Sequence, residues 1–247
     1  MDPISVMAAG GIRTRMQTLD LLANNLANAA TSGYKGDKEF YSLFSSKSAE
    51  AGDDDGYLPK LPSVDHHWTD FSQGLLETTG NPLDMALSGD GFFTINGPSG
   101  PLYTRNGGFQ RSATGTLITS EGYPVASLGG GTITLDPALQ VEITREGIIK
   151  QGGADVGQLA IATFPNTNVL SKQGNSYFKN TDPKVTPTQS TTTEVNQGRL
   201  EASNIKTSDV AVHLVGVMRQ FEMLHKAVSL TTDMDKKAVE EVARVGQ

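Results

Sequence analysis

Two segments at opposite ends of this chain repeat apolar residues in alternating steps of three and four, and no other feature constrains the fold as tightly. Near the start the series is Ala9, Ile12, Met16, Leu19, Ala23, Leu26 and Ala30. Near the end it is Val210, Leu214, Val217, Phe221, Leu224 and Val228, resuming with Ala238, Val242 and Val245 after the polar positions Thr231 and Asp235. Such a seam runs along one side of an α-helix and is stable when another helix covers it. The reading is a helix at each end, the two pairing as a coiled-coil-like layer.

Local signals bound both helices. Asp2 before Pro3 suits an N-cap and first turn, because Asp accepts an orphan amide and Pro has none to lose. Thr31-Ser32-Gly33 reads as the stop, with Gly33 able to adopt the left-handed conformation. Ser208 ahead of Asp209 reads as the N-cap of the second helix. Residues 45–63 turn polar, with Gly52-Asp53-Asp54-Asp55-Gly56, Pro59 and Pro62, as in a loop or extended connector.

The middle of the chain, from about Val64 to Phe178, reads as short strands and turns. Phe92-Phe93-Thr94-Ile95 lies between Gly89-Asp90-Gly91 and Asn96-Gly97. Asn106-Gly107, between Leu102-Tyr103-Thr104 and Phe109-Gln110-Arg111, predicts a tight hairpin, since both turn positions of that type need positive φ. Glu146-Gly147 predicts another between Val141-Ile143 and Ile148-Ile149. The fold class is therefore mainly β, with a core domain carrying N- and C-terminal α-helices (α+β overall). The expected division is 1–35 for the first helix, 36–63 for the connector, 64–200 for the β core and 201–247 for the second helix.

Charge and composition exclude several functions. A net charge of −7 with no basic cluster argues against nucleic acid or an anionic membrane as the main partner. With no cysteine there is no disulfide, thiolate metal site or cysteine nucleophile. No stretch approaches the roughly 18 apolar residues of a membrane span, and the N-terminus has no basic region leading into an apolar run of the kind a cleaved signal carries.

Chemistry is thinly represented. His66-His67-Trp68 with Asp65 and Asp70 is the one cluster suggestive of a metal, yet neighbours on a strand point to opposite faces. His213 and His225 stand too far apart on a helix to share an ion. Leu128-Gly129-Gly130-Gly131 is followed by the strand-like Thr132-Ile133-Thr134-Leu135, not by the helix a phosphate loop requires, so it reads as a turn. Asp84 and Asp90 read as turn formers rather than an acid/base pair. No catalytic, metal-binding or cofactor-binding residue is expected.

Four motifs in order carry a resemblance. Leu22-Ala23-Asn24-Asn25-Leu26-Ala27-Asn28 followed by Thr31-Ser32-Gly33-Tyr34-Lys35 is similar to the N-terminal motif of the bacterial flagellar rod and hook proteins. Leu83 through Phe93 and Tyr103-Thr104-Arg105-Asn106-Gly107 through Val125 resemble the core signature of that family, and Leu200-Glu201-Ala202-Ser203-Asn204 the lead into its last helix. Within the family, Arg219-Gln220-Phe221-Glu222-Met223 and the extra turns from Asp233 to Val245 resemble proximal-rod subunits more than distal ones.

The resemblance implies a structural subunit exported unfolded by the flagellar type III apparatus, without a cleaved signal, into a rod that crosses the periplasm. Its implied partners are other copies of itself and neighbouring rod proteins. The residues it points to for subunit contact are Ile12, Met16, Leu19, Leu22, Asn24, Asn25, Leu26, Asn28, Val210, Leu214, Val217, Phe221, Leu224 and Val228. Gly89, Asp90, Gly91, Asn106 and Gly107 form the core-turn motif. The three asparagines could fix register across subunits, as a buried Asn does in coiled coils, or lie on an exposed polar face. An isolated pair of such helices is marginal, so the ends are expected to fray until other subunits cover them. The rival reading from another class is a secreted β-rich carbohydrate-active enzyme, which would need convergent carboxylates or a metal in a cleft.

Overall fold

The computed structural model describes residues 3–44, 61–174 and 176–245. They form two compact units, Met1–Ala27 with Asp37–Trp68 and Lys206–Gln247, and Asn28–Gly36 with Thr69–Ile205. The chain thus passes between units at 27/28, 36/37, 68/69 and 205/206.

The helix unit contains α1 (Pro3–Ala27), α2 (Thr207–Val245) and the paired strands β1 (Asp37–Phe44) and β2 (Leu61–Thr69). The stretch read as an extended connector therefore begins and ends in strands of this hairpin-like pair, while residues 45–60 lie outside the described residues. Helix α1 stops at Ala27, before Ala30, and Gly33 does take positive φ, at 69°. Helix α2 starts one residue before the expected cap. The Lys206 carbonyl accepts from Asp209 and Val210, and Ser208 Oγ turns to the Asp209 carboxylate instead of capping. Around the predicted polar interruption α2 continues without a break. Ser229, Thr231 and Thr232 return their hydroxyls to the carbonyls of Lys226, Ala227 and Val228, so they need no outside partner.

In the β unit, six strands run in the order β15 (Leu170–Lys172), β16 (Tyr177–Asn180), β6 (Gly100–Thr104), β5 (Phe92–Gly97), β14 (Ile161–Thr163) and β17 (Thr188–Gln189). Both faces of this sheet are covered, which explains the adjacent apolar residues Phe92 and Phe93 at its centre. Phe93 and Ile95 of β5 point into the main core with Met85, Leu87, Phe109, Leu117, Ile149 and Leu159. Phe92 points the other way, into an aromatic cluster with Phe71, Tyr103, Phe164 and Phe178. Alternation along a strand sends successive side chains to opposite faces, so two layers need two apolar sets.

Smaller antiparallel units complete the domain. β11 (Val141–Ile143), β12 (Ile148–Gln151) and β13 (Ala154–Gln158) form a three-stranded meander whose first turn carries Gly147 at φ 78°, the Glu146-Gly147 hairpin expected. β9 (Ala126–Ser127) and β10 (Gly131–Thr132) pair across the glycine run, which is a turn. β7 (Gln110–Arg111) pairs with β8 (Leu117–Ile118), and β4 (Met85–Ser88) with β18 (Glu194–Gln197). β3 (Leu76–Thr78) pairs with β19 (Arg199–Glu201), joining the two ends of the domain.

The Asn106-Gly107 hairpin does not form. β6 pairs with β5 and β16, not with β7, and neither Asn106 nor Gly107 has positive φ. Asn106 Oδ1 instead accepts from the Gly108 amide in a local side-chain turn. Glycine is needed at 107 for another reason: a Cβ there would lie 1.7 Å from the Met85 carbonyl oxygen. The dipeptide marks a close backbone approach.

Candidate functional site

In the helix unit the two predicted seams behave differently. On α2 the first six predicted positions are enclosed: Val217 is buried, and Val210, Leu214, Phe221, Leu224 and Val228 are half-buried, as is Thr231, while the side chains of Ala238, Val242 and Val245 lie outside the described residues. On α1 the most enclosed residues are Thr14, Thr18, Leu22 and Asn25, a stripe that also contains Gly11, whose bare Cα approaches the Leu224 side chain of α2. The predicted α1 seam lies beside that stripe. Met16 is 53% exposed, Ala9 and Ala23 are exposed, and Ile12, Leu19 and Leu26 are half-buried.

The covered stripe of α1 escaped a hydrophobicity count because threonine, glycine and asparagine form most of it. Thr14 and Thr18 satisfy their hydroxyls on the carbonyls four residues earlier, at 3.1 and 3.0 Å, so their methyl groups pack without stranded polar atoms. Thr18 also donates to the Glu39 carboxylate at 3.0 Å. Asn25 binds both backbone groups of Asp37: its amide nitrogen donates to the carbonyl at 2.8 Å and its oxygen accepts from the amide at 3.0 Å. Of the three predicted asparagines, Asn25 thus works inside the chain as a surrogate strand partner for β1, Asn24 is exposed and Asn28 half-buried.

Helix α2 also carries apolar residues away from its enclosed side: Val212, Val215, Met218, Met223, Leu230 and Met234 are between 47% and 76% exposed. His225 stacks loosely on Phe221, one turn away and distant from His213. Trp68, at the end of β2, is capped by the Lys38 ammonium. The His66 side chain lies outside the described residues, and no group of three potential metal ligands gathers among those described. Among the described residues no helix is long and apolar enough to cross a membrane.

The β unit contains a polar cluster that the sequence motifs included without revealing its role. Glu201 is completely buried and its carboxylate accepts from three segments: Lys35 Nζ at 2.5 Å, the Gly74 amide at 2.9 Å and Arg105 Nη1 at 3.2 Å. Its carbonyl accepts from the Gly33 amide at 2.7 Å. Lys35, equally buried, donates also to the Ser72 carbonyl at 2.6 Å, and Arg105 to the Gly89 carbonyl at 2.8 Å. Burial pushes the Lys35 ammonium below the usual lysine range while Glu201 pulls it back up. The Arg105 guanidinium lies over the Phe92 ring. Asn204 completes the cluster, accepting from the Gly36 amide at 2.8 Å and donating to the Asp70 carbonyl at 2.7 Å.

The remaining motif residues build turns. Gly89 and Gly91 have φ of 100° and 152°, and the Asp90 carbonyl accepts from the Thr193 hydroxyl. Asp84 receives Thr79 at 2.6 Å and Asn81 at 2.9 Å, holding a loop together. Two clefts among the described residues are poor in acids. One of about 740 Å³, lined by Asn81, Arg111, Leu139 and Gln197 among others, has no carboxylate in its wall. Another of about 210 Å³ has only Glu121, which accepts from the Tyr177 hydroxyl.

Comparison with known proteins accounts for this arrangement. Residues 86–151 match the family described as flagellar hook protein FlgE/F/G D1 domain, and residues 196–241 the flagellar basal body rod FlgEFG protein C-terminal family. A flagellar basal-body rod protein FlgF of Caulobacter vibrioides is 33% identical over 234 residues, covering 94% of each chain. Flagellar basal-body rod proteins FlgG of Agrobacterium fabrum and Buchnera aphidicola are 32% and 28% identical over 254 and 260 residues, covering 92% and 96% of this chain and 95% and 98% of their own. The two family matches take in part of the β core with Arg105, and the Glu201 and Asn204 side of the buried cluster with most of the second helix. With a relative that similar aligned along nearly its whole length, the chain belongs to the family of flagellar basal-body rod proteins.

Proposed function

We propose that this chain is a structural subunit of the bacterial flagellar rod and that its place is in the proximal part. The observation that carries the proximal assignment is the shape of the alignments. The FlgF match spans 234 residues within a chain of 247, whereas the FlgG matches run to 254 and 260 columns and so require insertions relative to this chain. The FlgF relative aligns over 94% of each chain, which supports the proximal reading.

Assembly is the work of the terminal helices. A head-to-tail contact that does not close on itself generates an open helical filament, so geometry can do what catalysis does in an enzyme. The exposed side of α1 (Ala9, Met16, Ala23) and the exposed apolar residues of α2 (Met223, Leu230, Met234) are where other copies and neighbouring rod proteins make contact. In the free subunit those faces are open and the helices fray; on incorporation they are covered. The subunit reaches the rod through the flagellar type III apparatus, unfolded and without a cleaved signal, and has no catalytic role.

The test is complementation of a strain lacking the chain, followed by isolation of basal bodies. The full chain restores motility and co-purifies with the rod, and chains lacking residues 1–27 or 206–247 do neither. Normal motility with a chain lacking both ends would refute assembly through the helices. Labelled subunits seen on the hook side of the FlgG segment would refute the proximal assignment alone.

A further inference from the structure

The buried cluster of the β unit sits where the chain leaves that unit. Gly36 is the last residue before the second crossing, Thr69 the first after the third and Ile205 the last before the fourth. Asn204 binds Gly36, Asp70 and Ser72 together, and the Asp70 amide donates to the Gly36 carbonyl at 2.8 Å. Lys35 and Glu201, one residue and four residues from these exits, meet although 166 positions apart.

Stability does not explain why the cluster is ionic. Charges removed from water cost so much that an apolar replacement of similar volume is often as stable, whereas an ion pair accepts few alternative arrangements. A second observation shows how little freedom the site has. A Cβ on Gly33 would lie 2.2 Å from the Asn106 nitrogen, on Gly36 2.1 Å from Ile205 Cδ1, and on Gly74 2.0 Å from the Ala202 oxygen. Gly33 and Gly74 let backbone segments of the cluster touch, and three charged side chains join those segments.

We infer that Lys35, Arg105, Glu201 and Asn204 are positioning residues for assembly: they fix the points at which the chain leaves the β unit for β1, returns to it from β2 and leaves it again for the C-terminal helix α2. This rests on the rod reading for its purpose, though not for its geometry. The direct measure is amide exchange in the purified full chain at Gly33, Gly36, Asp70, Gly74 and Ala202, whose hydrogen bonds all belong to the cluster or its edge.

Two variants are compared with the unaltered chain, Glu201→Gln and the apolar triple Lys35→Met, Arg105→Met, Glu201→Leu. In both, exchange at these five amides rises at least tenfold while residues 85–195 stay protected. Incorporation into basal bodies falls about tenfold further than the folded fraction does. Unchanged exchange at the five amides, or incorporation that simply follows the folded fraction, would overturn the inference. If the triple variant does not fold, Glu201→Gln and Asn204→Ala decide by the same two readings. If the unaltered chain is itself missing from basal bodies, the rod reading fails, and the exchange measurement still decides whether the cluster holds the exits.

Discussion

The two units draw on different sources of order. In the β unit Phe93, Leu117, Ile149 and Leu159 have no solvent exposure, and a second aromatic layer closes the other face of the same sheet. In the helix unit α2 runs for 39 residues, and of its described side chains only Val217 is buried. Burial of a whole apolar side chain is worth about 1.5–3 kcal/mol, so a helix enclosing one such residue and half-enclosing five gains little from its own chain. The β unit carries its complement of contacts with it. The helix unit leaves much of its described apolar surface exposed.

Mutations can break that contrast or sharpen it. Phe93→Ala, which also removes an edge-on contact with Phe109 at 5.1 Å, should cost about 3–5 kcal/mol and unfold the β unit in a thermal melt. Gly107→Ala drives a methyl into the Met85 carbonyl and should cost at least about 2 kcal/mol in the same assay, a backbone effect in a place that looks like a tolerant turn. Asn25→Ala removes two hydrogen bonds to the Asp37 backbone and should cost about 1–3 kcal/mol, read as faster amide exchange in residues 18–27 and 37–40 while residues 85–195 keep theirs. If the β core loosens equally, the units are not energetically separate.

Two smaller effects probe the margins. Although burial opposes it, hydrogen bonds led by that from Tyr177 hold the Glu121 carboxyl below its ordinary value of 4.5, while burial and the same bond push the Tyr177 phenol up. A depressed carboxyl contributes stability that is present above the unfolded pKa and lost as pH falls through the folded one. Tyr177→Phe should therefore cost about 0.5–1.5 kcal/mol at neutral pH and weaken the acid limb below pH 4.5, measured as denaturant midpoints across that range. Met223→Ser, on the exposed side of α2, should change the free chain by less than about 0.5 kcal/mol, yet reduce its recovery in basal bodies.

How far the sequence could be read depended on whether a side chain's role was carried by its hydrophobicity. The α2 seam was legible because Val210, Leu214, Val217, Phe221, Leu224 and Val228 are apolar in a helix whose other positions are mostly not. The covered stripe of α1 was not, since Gly11, Thr14, Thr18 and Asn25 pack through small size and internal hydrogen bonds that no periodicity of apolar residues records. Asn106-Gly107 misled because the same dipeptide that suits a left-handed turn also suits a tight backbone approach. Lys35, Arg105 and Glu201 each stood inside a motif, but only the fold brings residues so far apart in sequence into one buried site.

That sequence separation imposes a timetable on the nascent or threaded polypeptide. A chain that emerges from a narrow passage with its N-terminus leading presents Lys35 early and Glu201 only when about four-fifths of its length is through. Until then the carboxylate that joins Lys35, Gly74 and Arg105 has not emerged, and the segment after the first helix has only its contacts with earlier positions such as the Ser72 carbonyl. Contacts between remote positions form slowly for the same entropic reason. In such a passage the buried cluster is the last part of the β unit to close, completed only when about four-fifths of the polypeptide has arrived.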